Sequence, residues 1–176
     1  MKHRVVPFAV ASSLTVGVLL AAAAPASAGP AAVPCTAAGA NVKTFQGVGV
    51  NQVDVELCGW RTVVEDLVQG FADVDWRLDA STITFASFRI ETRIEKRSGV
   101  TGPDTVVTTG TCDMTAAINA TATPPVVPER CHTVDLVSYD PSFWWSTDAT
   151  VTYDIAGDGI GPSTWQLNGS PLVRTS

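Results

Sequence analysis

Alternation with a period of two residues governs most of this chain beyond residue 40. In Val53-Asp54-Val55-Glu56-Leu57 the apolar side chains hold the odd positions and the carboxylates the even ones, and Val74-Asp75-Trp76-Arg77-Leu78-Asp79-Ala80 repeats the pattern. Successive side chains of a strand point to opposite faces, so each such run offers one face to a core and one to water. Val42 to Phe45, Thr105 to Ala120, His132 to Val137, Ala149 to Ile155 and Thr164 to Leu167 read the same way. Turn clusters separate them: Gly47-Val48-Gly49, Ser98 to Asp104, Ala156 to Pro162, and Asn168-Gly169, a hairpin signal with Leu172-Val173 as its returning strand. Short strands at intervals of 8–12 residues predict one antiparallel β-sandwich of about eight strands.

Two segments depart from strict alternation. In Thr62 to Gly70, Val63, Val64, Leu67 and Val68 recur at helical spacing and Trp60 extends that face. Thr62 with Glu65 matches a capping box and Gly70 a C-terminal stop, so a short helix is expected there, with Trp60 and Trp76 in the core. Beyond Thr82 the apolar parity switches, from Ile83 and Phe85 to Phe88, Ile90 and Ile94. A switch of face needs an extra residue, which places a bulge near Ala86-Ser87. Past it, Arg89, Glu91, Arg93, Glu95 and Arg97 form a stripe of alternating sign, expected to be solvated and to protect an edge.

The chain opens with Lys2, His3 and Arg4, an apolar run from Val5 to Ala24, and Ala26-Ser27-Ala28. That is the form of a secretory signal peptide cleaved before Gly29, leaving residues 29–176 as one extracellular domain with no membrane span. The 176-residue precursor has a formal charge of −6. Cleavage removes Lys2 and Arg4 and no acid, leaving 9 basic against 17 acidic residues, or −8. A chain so acidic repels phosphate backbones, and nucleic acid is not an expected partner. Cys35, Cys58, Cys112 and Cys131 all lie past the signal, where oxidation is permitted. Three pairings exist; the sequential one, Cys35–Cys58 with Cys112–Cys131, closes the two short loops and is expected. With no C-x-x-C and only His132 after the signal, no metal site is expected.

Catalytic patterns are sparse. No G-x-S-x-G, H-E-x-x-H or phosphate-binding glycine motif occurs, and His132 reads as a structural imidazole beside a disulfide cysteine. Asp73, Asp75 and Asp79, or Asp154 and Asp158, are conceivable carboxylate pairs for a small hydrolase, although 17 acids make chance pairs common. Asn119-Ala120-Thr121 and Asn168-Gly169-Ser170 match the glycosylation sequon. The compositional setting resembles that of small secreted proteins of high-GC bacteria and implies no particular activity.

Tyr139-Asp140-Pro141-Ser142-Phe143-Trp144-Trp145 places four aromatics around an Asp-Pro turn. Parity with Val151 and Tyr153 sends Trp145 inward and Trp144 outward. Tyr139, Phe143, Trp144 and Trp145 are therefore the expected binding residues. The leading expectation is a secreted, non-catalytic module that binds another secreted or surface protein as adaptor or inhibitor, without cofactor. A carbohydrate-binding module using the same aromatics against a polysaccharide is the alternative, and a small carboxylate-dependent hydrolase the second alternative.

Overall fold

Val53, Val55 and Leu57 turn inward because each is two residues from the next, and the strand that carries them is the centre of the first of two sheets. The computed structural model describes residues 34–47, 49–62, 66–79, 83–120, 128–133 and 135–174. The expected signal at residues 1–28 and most of the Pro-rich loop at residues 122–128 lie outside the described residues. In chain order the elements are β1 (Val42–Thr44), β2 (Gln52–Thr62), β3 (Leu67–Arg77), β4 (Phe85–Arg97), β5 (Thr105–Asp113), α1 (Thr115–Ala120), β6 (Glu129–His132), β7 (Val137–Ser138), β8 (Trp144–Ile155) and β9 (Ser163–Gln166). One sheet runs β1-β2-β3-β6, with β7 also on β3, and the other runs β5-β4-β8-β9, every pairing antiparallel. This is the expected sandwich, with one short helix.

Between the sheets, Val53, Val55 and Leu57 of β2 and Ala72, Val74 and Trp76 of β3 meet Phe88 and Ile90 of β4 and Ala149 and Val151 of β8. Each large aliphatic or aromatic side chain withdrawn from water here contributes about 1.5–3 kcal/mol. A second, smaller core at one end holds Val68, Ile94 and Trp145, with Tyr139 and Phe143 packed against it. A waist separates the two. Gly59 and Gly70 face each other across β2 and β3, and a Cβ built on Gly70 would lie 2.7 Å from Thr147 Oγ1 and 2.9 Å from Thr147 Cγ2. The Thr147 hydroxyl donates to the Cys58 carbonyl at 2.9 Å, bonding one sheet to the other.

Both disulfides follow the sequential pairing. Cys35–Cys58 fastens the N-terminal arm to β2, and Cys112–Cys131 joins β5 in one sheet to β6 in the other. With loops of 23 and 19 residues, each bridge adds about 3 kcal/mol by restricting the unfolded chain. The two ends of the described chain also meet. Asn41, buried, donates to the carbonyls of Val55 and Asn168, while its side-chain oxygen accepts the Asn168 N–H.

Helix and strand exchange places relative to expectation. The helix expected from Thr62 to Gly70 gives way to strand on both sides of residues 63–65, which lie outside the described residues: β2 and β3 pair in register out to Thr62 and Leu67, and Asp66 sits in the left-handed region at φ 50°. Eleven consecutive cross-strand pairs outweigh a local capping pattern in a segment rich in β-branched valine. The helix occurs instead at Thr115–Ala120, inside the run read as a strand or hairpin. Met114 and Ile118 are buried and Ala116 exposed, which is spacing of four rather than two. The Asp113 carboxylate starts this turn by accepting the Thr115 N–H and hydroxyl at 3.0 and 2.6 Å.

The bulge falls where parity placed it, with the β4–β8 register slipping between Phe85 and Ser87. There the Asn119 amide substitutes for a strand neighbour, accepting the Phe85 N–H at 2.9 Å and donating to the Phe85 carbonyl at 2.8 Å. Asn168-Gly169 is not a hairpin; the chain continues past it along β8, through Ser170 on Thr147 to a bridge between Val173 and Trp145. Gly169 permits the close pass, its position for a Cβ lying 3.2 Å from the Thr147 carbonyl oxygen. The charged stripe does not protect an edge either, because β4 lies between β5 and β8. Arg93 gathers Glu91, Glu95 and Asp148 within 3.5 Å, and burial pushes the Glu95 carboxyl above its ordinary range.

Gly70→Ala should force Thr147 aside and break its bond to Cys58. Urea unfolding is expected to show a loss of about 1–3 kcal/mol, and an unchanged midpoint would mean that the waist is not tightly packed.

Candidate functional site

Trp60 is 40% exposed, against 3% for Trp76, so one of the two tryptophans expected in the core stands outside it. The reason is parity. In β2 the odd residues face the core, and Trp60 shares the outward face with Asp54, Glu56 and Cys58. Around it the outer surface of β2, β3 and β6 forms an open groove of about 370 Å³, bounded by the Cys35–Cys58 bridge, Trp60, Phe71, Glu56, Asp73 and Arg130. That volume lies in the lower part of the range for ligand sites.

Two arginines line the depressions that Trp60 shares, Arg130 the groove and Arg61, whose odd position sets it on the inward face of β2, the small cleft next to it, and each is held twice. Arg130 bonds Asp73 through two nitrogens at 2.6 and 2.7 Å, and its guanidinium lies 4.0 Å from the centroid of Phe71. The pair is set by register, since Asp73 faces Arg130 and Phe71 faces His132 across β3 and β6. Arg61 pairs with Asp66 at 2.5 Å across the β2–β3 turn and lies 4.0 Å from the centroid of Tyr139. Stacking on an aromatic face adds about 0.5–1 kcal/mol at such exposed sites. It also fixes the planar fork, and Arg130 keeps about half of its side chain in water. Trp60 itself has no cation or ring neighbour among the described residues.

The Tyr139 to Trp145 segment adjoins this surface. Trp145 is 2% exposed, and its indole N–H donates to the Asp140 carbonyl at 3.0 Å, so it supports the surface from below. Phe143 lies under the Lys96 ammonium, 4.6 Å from its centroid, and Trp144 is half-buried beside the Arg174 guanidinium at 5.6 Å. Tyr139 packs on Trp145, their ring centroids 6.1 Å apart. The Asp140 carboxylate accepts the Ser142 N–H and hydroxyl, which hold its carboxyl below the usual range and close the turn. The structure thus brings Tyr139, Phe143 and Trp145 together as a second core and sends Trp144 to the far side. A small cleft that Trp60 and Tyr139 both line connects this cluster to the groove.

The carboxylates considered for catalysis are dispersed. Asp73 is occupied by Arg130, Asp79 lies beyond the end of β3, and Asp158 accepts the Ile160 N–H as a turn residue does. Asp75 stands directly across from Asp54. Burial first, and the Asp75 charge second, raise the Asp54 carboxyl above its ordinary value. Cys35, Cys58 and Glu56 come close enough to suggest metal ligation, but both sulfurs are consumed by the disulfide. His132 is exposed at the rim, 5.7 Å from Phe71. Comparison with protein-family models, with curated proteins and with solved structures finds no match to this chain.

The raised Asp54 carboxyl has a pH signature. A folded value above the unfolded one adds stability below about pH 4, and that gain is lost as pH rises through the folded value. Asp54→Asn should therefore stabilise the protein at pH 7 by about 0.2–1 kcal/mol, the gap to wild type closing as pH falls toward 4 in urea titrations. A gap independent of pH would exclude the charge as its cause.

Proposed function

We propose that the protein is a secreted, non-catalytic module that binds another extracellular protein through the surface centred on Trp60. The observation that carries this reading is an exposed tryptophan where two depressions meet, one lined by Arg130 and one by Arg61, each arginine already held by a carboxylate and an aromatic ring. Tryptophan, tyrosine and arginine are the residues that dominate binding energy at protein interfaces, because they present large area with few freely rotating bonds. Pre-stacked Arg61 and Arg130 lose little further freedom on binding. Two disulfides agree with an oxidising compartment, and no helix among the described residues is long and apolar enough to cross a membrane. Of the residues expected to bind, Tyr139 and Trp145 line the small cleft beside Trp60, and Phe143 packs against Trp145.

The carbohydrate reading also gains a concrete form. Trp60 beside Glu56 and Asp73 supplies an apolar ring next to carboxylates that accept hydroxyl hydrogens.

The test is affinity capture from culture supernatant with purified residues 29–176, followed by titration of the captured protein. Trp60→Ala is expected to weaken binding by about 30-fold, the equivalent of a 2 kcal/mol hot spot, with the unfolding midpoint unchanged. Undiminished binding by the variant would overturn the assignment of the surface. Retention on insoluble polysaccharide that Trp60→Ala abolishes would favour the carbohydrate reading instead.

A further inference from the structure

The groove at Trp60 is one end of a longer outer face. In the β2–β3 register, Glu56 stands across from Asp73, and the next outward pair is Asp54 across from Asp75. Directly opposed side chains of an antiparallel pair have Cβ atoms about 4.5–5.5 Å apart, and like charges so placed destabilise the sheet. Arg130 neutralises Asp73. Asp54, Glu56 and Asp75 make no ion pair with any described residue. Of the nearby basic groups, Lys43 on β1 faces the other way, over the rings of Tyr153 and Trp165, and Arg77, which lines a depression together with Asp54 and Asp75, makes an ion pair with neither. At Asp54 and Asp75 the face dips again into a depression of about 230 Å³ that these two acids line with Arg77 and with Val50, which is 54% exposed.

We infer that the partner segment this face accepts is an extended, cationic stretch of polypeptide, with an apolar side chain in the Trp60 groove and lysine or arginine side chains over Glu56, Asp54 and Asp75. This rests on the protein-binding reading and supplies the chemistry of the partner. From Trp60 to Asp54 is six residues of strand, about 20 Å, so an extended segment of about six residues spans the acids from the groove. These acids lack a paired cation among the described residues, Asp54 being met by the backbone N–H groups of Val55 and Gly39, and are neutralised when cations arrive, which converts the repulsion between them into affinity for one sign of charge.

The experiment uses fluorescence anisotropy with three labelled ten-residue peptides: one Phe followed by alternating Ser and Lys, and the same peptide with each Lys replaced by Ser or by Glu. At pH 7 and low salt the Lys peptide is expected to bind at least tenfold more tightly than the Ser peptide, and the Glu peptide more weakly still. That preference should shrink at 300 mM NaCl, where the screening length falls well below 10 Å. Asp54→Asn combined with Asp75→Asn should erase the preference, and Glu56→Gln alone should reduce it. Trp60→Ala should weaken the Lys and Ser peptides alike. Failure of the Lys peptide to bind, or a preference that survives in the double Asn variant, would overturn the inference. Equal binding of the Lys and Ser peptides that Trp60→Ala abolishes would overturn it too, yet leave the groove as a protein-binding site. A Lys preference lost in the Asn variant but indifferent to Trp60→Ala would keep the cationic partner and remove Trp60 from its seat.

Discussion

The two sheets come closest where Gly59 and Gly70 face Thr147, and much of the molecule is organised by that contact. Neither glycine carries a side chain, so Thr147 enters far enough to bond the Cys58 carbonyl. The approach divides the interior into a large core of mixed aliphatic and aromatic side chains and a small one around Trp145. It also fixes the backbone of Cys58, which holds the disulfide on its outward side and leads two residues later to Trp60. The height and tilt of the candidate surface are thus set from inside the sandwich, by a threonine on the opposite sheet.

Period-two alternation carried most of the architecture: the inward faces of β2, β3 and β8, the bulge after Phe85, the inward Trp145 and the disulfide partners were all legible. The misreadings share a cause. Thr62 to Gly70 satisfies helix rules locally, and only pairing with residues up to 25 positions away, such as Gln52 with Arg77, overrides them. Met114 and Ile118 suit either a strand or a helix, and Asp113 decides between them through bonds to Thr115 that composition does not display. Trp60 was missed because the helix reading placed it on an apolar face. Strand parity with Asp54 and Glu56 was the available signal, and it pointed outward. The pairing of Arg61 with Tyr139 and of Arg130 with Phe71 joins residues 59 to 78 positions apart and was not legible from spacing.

Charge is used in two ways on the two sheets. On β4 the alternating stripe is internally balanced: Arg89 meets Asp113, Arg97 meets Asp104, and Arg93 collects acids from β4 and β8. That face ties three strands together. On β2 and β3 the acids confront one another instead, and the arginine that pairs with one of them among the described residues, Arg130, is half committed to an aromatic ring. One face of the sandwich is electrostatically closed and the other open, although the residue types on both are similar. Register, rather than composition, makes the difference.

The bond network between Asn41 and Asn168 spans 127 positions, whereas the disulfides close loops of 23 and 19. A ribosome delivers Asn41 127 positions ahead of Asn168, so a buried amide waits for its mate while every strand from β1 to β9 is made. Contacts so distant along the chain slow the search for the native state. Each crosslink therefore asks for a far shorter search along the chain than the clasp that joins Asn41 to Asn168.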